Sequence, residues 1–155
     1  MPRVISGTNS LAAQHNEKPG WNCRIASYDN STNFTSGEVI TSYSTSSNNH
    51  FVYGGCTFDS SNGLITVPVS GLYFVGVGVR YDFFGGNYFY VDIQQNTATF
   101  NRFLQSDTNT YSHGNVFNVR RANAGDTFRL VATSNGDTAV GVNDDSYFCG
   151  HLIDG

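Results

Sequence analysis

The sequence predicts an all-β fold, a sandwich or jelly roll of about ten short strands. Three observations carry that prediction. From Trp21 onward, short runs of β-branched and aromatic residues alternate with clusters of Gly, Asn, Asp and Ser. No window places apolar residues at the helical period. Residues 88–94 alternate strictly, with Phe89, Val91 and Ile93 on one side and Tyr88, Tyr90 and Asp92 on the other. A chain of 155 residues is one domain and can bury a core without metal or disulfide staples.

The elements follow in order. Residues 1–20 are polar and unpatterned and end in Lys18-Pro19-Gly20, which reads as an arm before a domain spanning 21–155. Strands are expected over 22–28, 38–43 and 51–58. Asn62-Gly63 then supplies a tight turn, because both residues tolerate positive φ. Residues 64–67 form a strand that Pro68 stops. Residues 71–81 are almost continuously apolar, as a strand covered on both faces would be; Gly76 and Gly78 within it leave room for a ring or another backbone. Further strands are expected over 88–94, 97–104, 115–121, 127–132, 139–142 and 147–153, separated by turns at 85–87, 124–126 and 135–137.

Composition removes several function classes. Charged residues are 13% of the chain and the formal net charge is −4, with Lys18 the single lysine. So weak and negative a field does not capture a phosphate backbone, so no nucleic-acid partner is expected. No apolar run is long enough for a membrane-spanning helix. The start, Met1 to Gly7, has no apolar stretch of the kind a secretory signal needs. Cys23, Cys56 and Cys149 are odd in number and far apart, which is neither a disulfide framework nor a zinc pattern. The preferred reading is three small buried thiols on strands; one bridge with one free thiol is the alternative.

Three ordered blocks resemble the globular heads of the complement C1q-like family. The first is Phe58 to Val75, through Asn62-Gly63, Pro68, Gly71, Tyr73 and Phe74. The second is Ala124-Gly125-Asp126-Thr127-Phe128-Arg129-Leu130, and the third is Asn143 to Ile153. The departures are Tyr147, Cys149 and His151 in the last block, and no collagen-like stalk. The resemblance implies a ten-strand jelly roll of the C1q and tumour-necrosis-factor type that assembles as a homotrimer. On that reading Tyr73, Tyr88, Tyr90, Tyr147 and Phe148 are candidates for the core and the threefold interface. Aromatic residues, 14% of the chain, exceed what one sandwich core needs, and they are enriched where chains bury one another. Gly71 and Gly150 are expected where a side chain would block close packing.

Catalytic chemistry finds little to build on. His15 falls in the arm, His50 and His113 in expected loops, and His151 in the last strand. Glu17 and Glu38 are the two glutamates, so a paired-carboxylate hydrolase would need aspartates. No cofactor is expected and the protein reads as a non-enzyme. If it takes calcium, Asp107 and the Asp144-Asp145 pair would supply the oxygen ligands, although a turn capping the last strand is the preferred reading of 143–146. Arg120-Arg121 is read as pairing with Asp across a trimer seam.

Asn, Ser, Thr and Gly make up 64 of the 155 residues. A surface of hydroxyls and amides bonds directionally and depends little on salt. Such a surface fits a particle component or a lectin-like head. The lack of a signal stretch and stalk, the single lysine and the polar arm favour the particle, so the expected role is a virion structural protein on the outer surface of a phage or virus capsid or tail: a trimeric capsid decoration or cement protein. Its partners would be its own copies and a major capsid protein or other virion protein. The arm would dock through Arg3, Val4, Ile5 and Leu11, and at about 3.3 Å per residue it reaches some tens of ångströms. The alternatives are a secreted extracellular head that recognises carbohydrates or pathogens, and the tip domain of a tail fibre.

Overall fold

The computed structural model describes residues 18–26, 34, 37–44, 50–83, 88–106, 112–134, 140–142 and 145–155. The docking candidates Arg3, Val4, Ile5 and Leu11 lie outside the described residues, as do Asp107 and Asp144. The chain is all-β: two antiparallel sheets face each other as a sandwich.

The first sheet is built on β1 (Gly20–Arg24), β3 (His50–Tyr53), β6 (Gly71–Phe83), β9 (Ser112–Ala122) and β12 (Tyr147–Asp154). Its order is β3-β1-β12-β6, with β9 on the far side of β6. β11 (Val140–Val142) takes over from β12 along the end of β6. The second sheet contains β4 (Thr57–Asp59), β5 (Leu64–Thr66), β7 (Tyr88–Gln95), β8 (Ala98–Ser106) and β10 (Thr127–Ser134), in the order β4-β5-β10-β7-β8. β2 (Glu38–Val39) adds to β10.

The period of two decides what the sandwich encloses. β6 turns Tyr73, Val75, Val77 and Val79 inward, β7 contributes Phe89, Val91 and Ile93, and β10 contributes Phe128, Leu130 and Ala132; all are buried. Trp21 sits among them, stacked on Phe128 (5.6 Å between centroids, 25°) and edge-on to Phe148 (5.6 Å, 61°). Full burial of each large apolar side chain contributes about 1.5–3 kcal/mol. Gly150 is what admits the indole: a Cβ there would lie 2.3 Å from Trp21 Cζ2. At Gly71 a Cβ would lie 2.4 Å from the Asp154 carbonyl oxygen.

Local chemistry sets the turns. In the β4–β5 hairpin the Asp59 carboxylate accepts from the Ser61 amide (2.9 Å) and hydroxyl (2.6 Å), and Gly63 takes φ +63°. Several expectations need correction. The run 51–58 is two strands, because Gly54 and Gly55 adopt φ of 62° and 82° and turn the chain. Cys56 therefore lies between strands rather than on one. Thr97 is not the start of a strand: with Asn96 (φ 49°) it forms the β7–β8 turn at φ 72°. The stretch 38–43 pairs as a strand only at Glu38–Val39, with a single bridge from Tyr43 to Ile25. His50 and His113 are strand residues, not loop residues. Their neighbours are Asn, Ser and Gly, which read as loop, yet register with β1 and β6 carries the ladders through both positions.

Candidate functional site

The outward face of the first sheet carries most of the exposed large apolar side chains among the described residues. Directly paired residues share a face, so the register assembles it. Leu72, Phe74, Gly76, Gly78 and Arg80 of β6 lie beside Arg121, Val119, Phe117, Asn115 and His113 of β9. On the other side, β12 contributes Tyr147, Cys149, His151 and Ile153. Beyond β1, β3 adds Phe51 and Tyr53.

This face has two unlike ends. At the apolar end Phe117 stacks on Phe74 (5.3 Å, 22°), and Phe74 lies against His151 (5.3 Å, 31°). Gly76 makes the stack possible, since a Cβ there would fall 2.1 Å from Phe117 Cδ1. Phe117, Val119, Phe51 and Ile153 remain 46%, 51%, 45% and 42% exposed. Large apolar side chains gathered this way on one face make it the candidate interaction surface.

The polar end holds a half-open cavity of about 470 Å³ lined by Gly78, Val79, Arg80, His113, Asn115, Asp145 and Tyr147. The Arg80 guanidinium donates to Asp145 Oδ2 at 2.5 Å. The Tyr147 hydroxyl donates to Asn115 Oδ1 at 3.1 Å, reaching from β12 across β6 to β9. Burial, helped by Cys149, holds the Tyr147 phenol above its ordinary pKa. The buried Ser146 hydroxyl is committed to the Arg80 backbone, accepting from its N–H (2.9 Å) and donating to its carbonyl (3.2 Å). A smaller cavity of about 220 Å³ at the opposite end of β6 is lined by Gly71, Leu72, Arg121 and Asp154 among others.

The five aromatic candidates part company. Tyr73 and Phe148 are wholly buried core residues; the Tyr73 hydroxyl donates to the Val69 carbonyl at 2.8 Å, and burial pushes its pKa up to about 12. Tyr147 lies on the face just described. Tyr88 and Tyr90 lie on the outward face of the second sheet, stacked at 5.8 Å and 20°. There the Arg102 guanidinium sits 3.9 Å over the Tyr90 ring and is bound by Asp92 at 2.5 and 2.9 Å. Phe117 and Val119 were missed. Their alternation within 115–121 was visible, but nothing local distinguishes it from a face another layer covers.

Arg120 donates to Gln95 Oε1 (2.8 Å) and lies over Phe100. Asp145 is engaged by Arg80, and among the described residues no group of three or more His, Cys, Asp or Glu is placed to hold a metal. The cysteines are free thiols. Burial raises Cys23 to about 12, with a contribution from Cys149, and raises Cys56 and Cys149 to about 11. At neutral pH they are thiols rather than nucleophilic thiolates. No protein-family model and no curated protein sequence matches the chain.

Proposed function

We propose that the protein is a non-enzymatic assembly protein: a jelly-roll head that functions as a homotrimer and decorates the outer surface of a virion. The aromatic face of the first sheet carries the reading. Burying Phe74, Phe117, Val119 and Ile153 against another copy removes from water a surface that one copy leaves bare. The strand order supports the jelly roll. Eight principal strands divide as β1-β12-β6-β9 and β5-β10-β7-β8, so first and last lie side by side in one sheet, and second and second-last in the other. The capsid role rests on the hydroxyl- and amide-rich composition, which keeps contacts insensitive to salt outside a cell.

Light scattering on the purified chain tests the assembly. A species of about 51 kDa, three copies of 16.9 kDa, is expected, and a uniform monomer overturns it. Quantifying the chain in purified particles tests the location: hundreds of copies per particle are expected, and its absence from particles overturns the virion role.

A further inference from the structure

The polar cavity has features that the assembly reading does not use. It adjoins the Phe74–Phe117 stack, since the pairs Gly76–Phe117 and Gly78–Asn115 are neighbours on one face, and it combines three elements. The first is a flat apolar platform. Tyr147 lies across Gly78, where a Cβ would come within 2.4 Å of Tyr147 Cε1 and 2.5 Å of Asn115 Oδ1. Only glycine lets the ring settle so close to the sheet. The hydroxyl bond to Asn115 then holds the ring in place.

The second element is an oriented amide. With Asn115 Oδ1 accepting from Tyr147, the Nδ2 group is the donor end of that side chain. The third is a donor and an acceptor side by side, the Arg80 guanidinium and the Asp145 carboxylate. Their side chains are 43% and 64% exposed, so a ligand can reach both. His113 completes the rim.

The geometry points to this cavity as a binding site for a neutral pyranoside. The charge logic is specific. An anionic ligand attracted to Arg80 would meet the Asp145 carboxylate, and an amine attracted to Asp145 would meet Arg80. A pair of adjacent hydroxyls satisfies both, donating to Asp145 and accepting from Arg80. The C–H face of a sugar ring supplies the flat apolar surface that Tyr147 can cover, removing apolar area from water on both partners. The volume of about 470 Å³ falls within the range of small-molecule sites, about 300–1,000 Å³. Residues of a single chain line the cavity, so one copy can be tested for binding by itself.

Saturation-transfer NMR on the full chain tests it. The probes are methyl pyranosides of glucose, galactose, mannose, fucose and N-acetylglucosamine, with the methyl glycoside of N-acetylneuraminic acid as the charged comparison. Transfer to the ring C–H protons of at least one neutral glycoside is expected. Tyr147→Ala should abolish it. Asp145→Asn, at an exposed position that leaves the core untouched, should weaken the affinity at least tenfold. Arg129→Gln, on the opposite sheet, should leave it unchanged. Absence of transfer to every neutral probe overturns the inference, as does transfer confined to the acidic sugar or transfer equally strong in Asp145→Asn. Light scattering on the same samples keeps a failure of the sugar site distinct from a failure of assembly.

Discussion

The outward faces of the two sheets begin from the same sequence pattern and end in different states. Each presents aromatic rings on outward positions, Tyr88 and Tyr90 at alternate positions of β7, and Phe74 on β6 with Phe117 on β9. On the second sheet the ring of Tyr90 is covered by Arg102, Arg102 is bound by Asp92, and Asp92 also accepts from the Thr99 hydroxyl at 3.1 Å. Arg129 and Gln94 extend the ladder at 2.9 Å. On that face charged partners hold Tyr90 and Asp92, while Leu104 beside Tyr90 and the ring of Tyr88 stay 58% and 37% exposed. On the first sheet Phe117 stacks on Phe74 and Phe74 on His151, a run of rings that ends in exposed Val119 and Ile153. One face caps a ring with a charged pair and the other stacks rings on rings, which is the arrangement the proposed assembly would bury.

The contrast can be broken on the first sheet with one change. Phe117→Lys places a charge in the centre of the apolar stack, and the mass by light scattering is expected to fall threefold to that of a single chain. The same measurement on Tyr90→Ala should show no change. An unaltered mass for Phe117→Lys would remove the first face from the assembly.

The second sheet answers through stability instead. Asp92→Ala removes the acceptor for two Arg102 bonds and for Thr99, at a site whose carboxylate is only 8% exposed. A loss of about 1–3 kcal/mol is expected in denaturant unfolding, moderated because Arg102 is itself 46% exposed and can return to water. The oligomeric mass should stay as it was.

A pH test sharpens the energetic side. Asp126 receives the Asn123 amide (2.9 Å), Asn96 (2.7 Å) and Gln95 (2.7 Å), and these bonds hold its pKa below the ordinary carboxylate value. A depressed folded pKa means stability that is complete above the unfolded value, near about 4, and lost as the pH falls through the folded one. Asp126→Asn should therefore be less stable than the parent at pH 7, and the gap should narrow as the pH drops below about 4. A gap independent of pH would show that the carboxylate charge is not what these donors hold. The gentlest change is Thr97→Gly. A β-branched residue at φ 72° is strained, and glycine there should raise stability by up to about 1 kcal/mol, read as a higher midpoint of unfolding.

Much of the sandwich was legible because its signals are local. The alternation at 88–94 identified Phe89, Val91 and Ile93 as core, and the apolar run at 71–81 identified a strand. The expectation that both faces of that strand are covered fails: the second sheet covers one, and the other carries the Phe74–Phe117 stack with Phe117 46% exposed. Legibility failed where a local signal had two meanings. Gly54-Gly55 inside an apolar run could be a bulge or a turn, and only the positive φ of both residues decides for the turn. His113 in a Ser-His-Gly context looked like loop, yet pairing with Arg80 keeps it in the ladder and brings it to the cavity.

The cavity shows the same limit from the other side. Arg80 and Asn115 carry no signal in the chain, Tyr147 reads as an interface residue and Asp145 as part of a turn or a calcium ligand, and they meet only because β6, β9 and β12 are neighbours.

Strand identity, inward and outward faces and most turns were thus settled by residue order alone, since a period of two and the φ preferences of Gly and Asn act within a few residues. Which outward face stays bare, and which polar side chains converge, was settled by the packing of strands distant in sequence. Arg102 caps Tyr90 across one hairpin, whereas Phe74 and Phe117 are brought together from far apart with no charge between them. Covering a ring takes a cross-strand neighbour, and only the register says who that neighbour is.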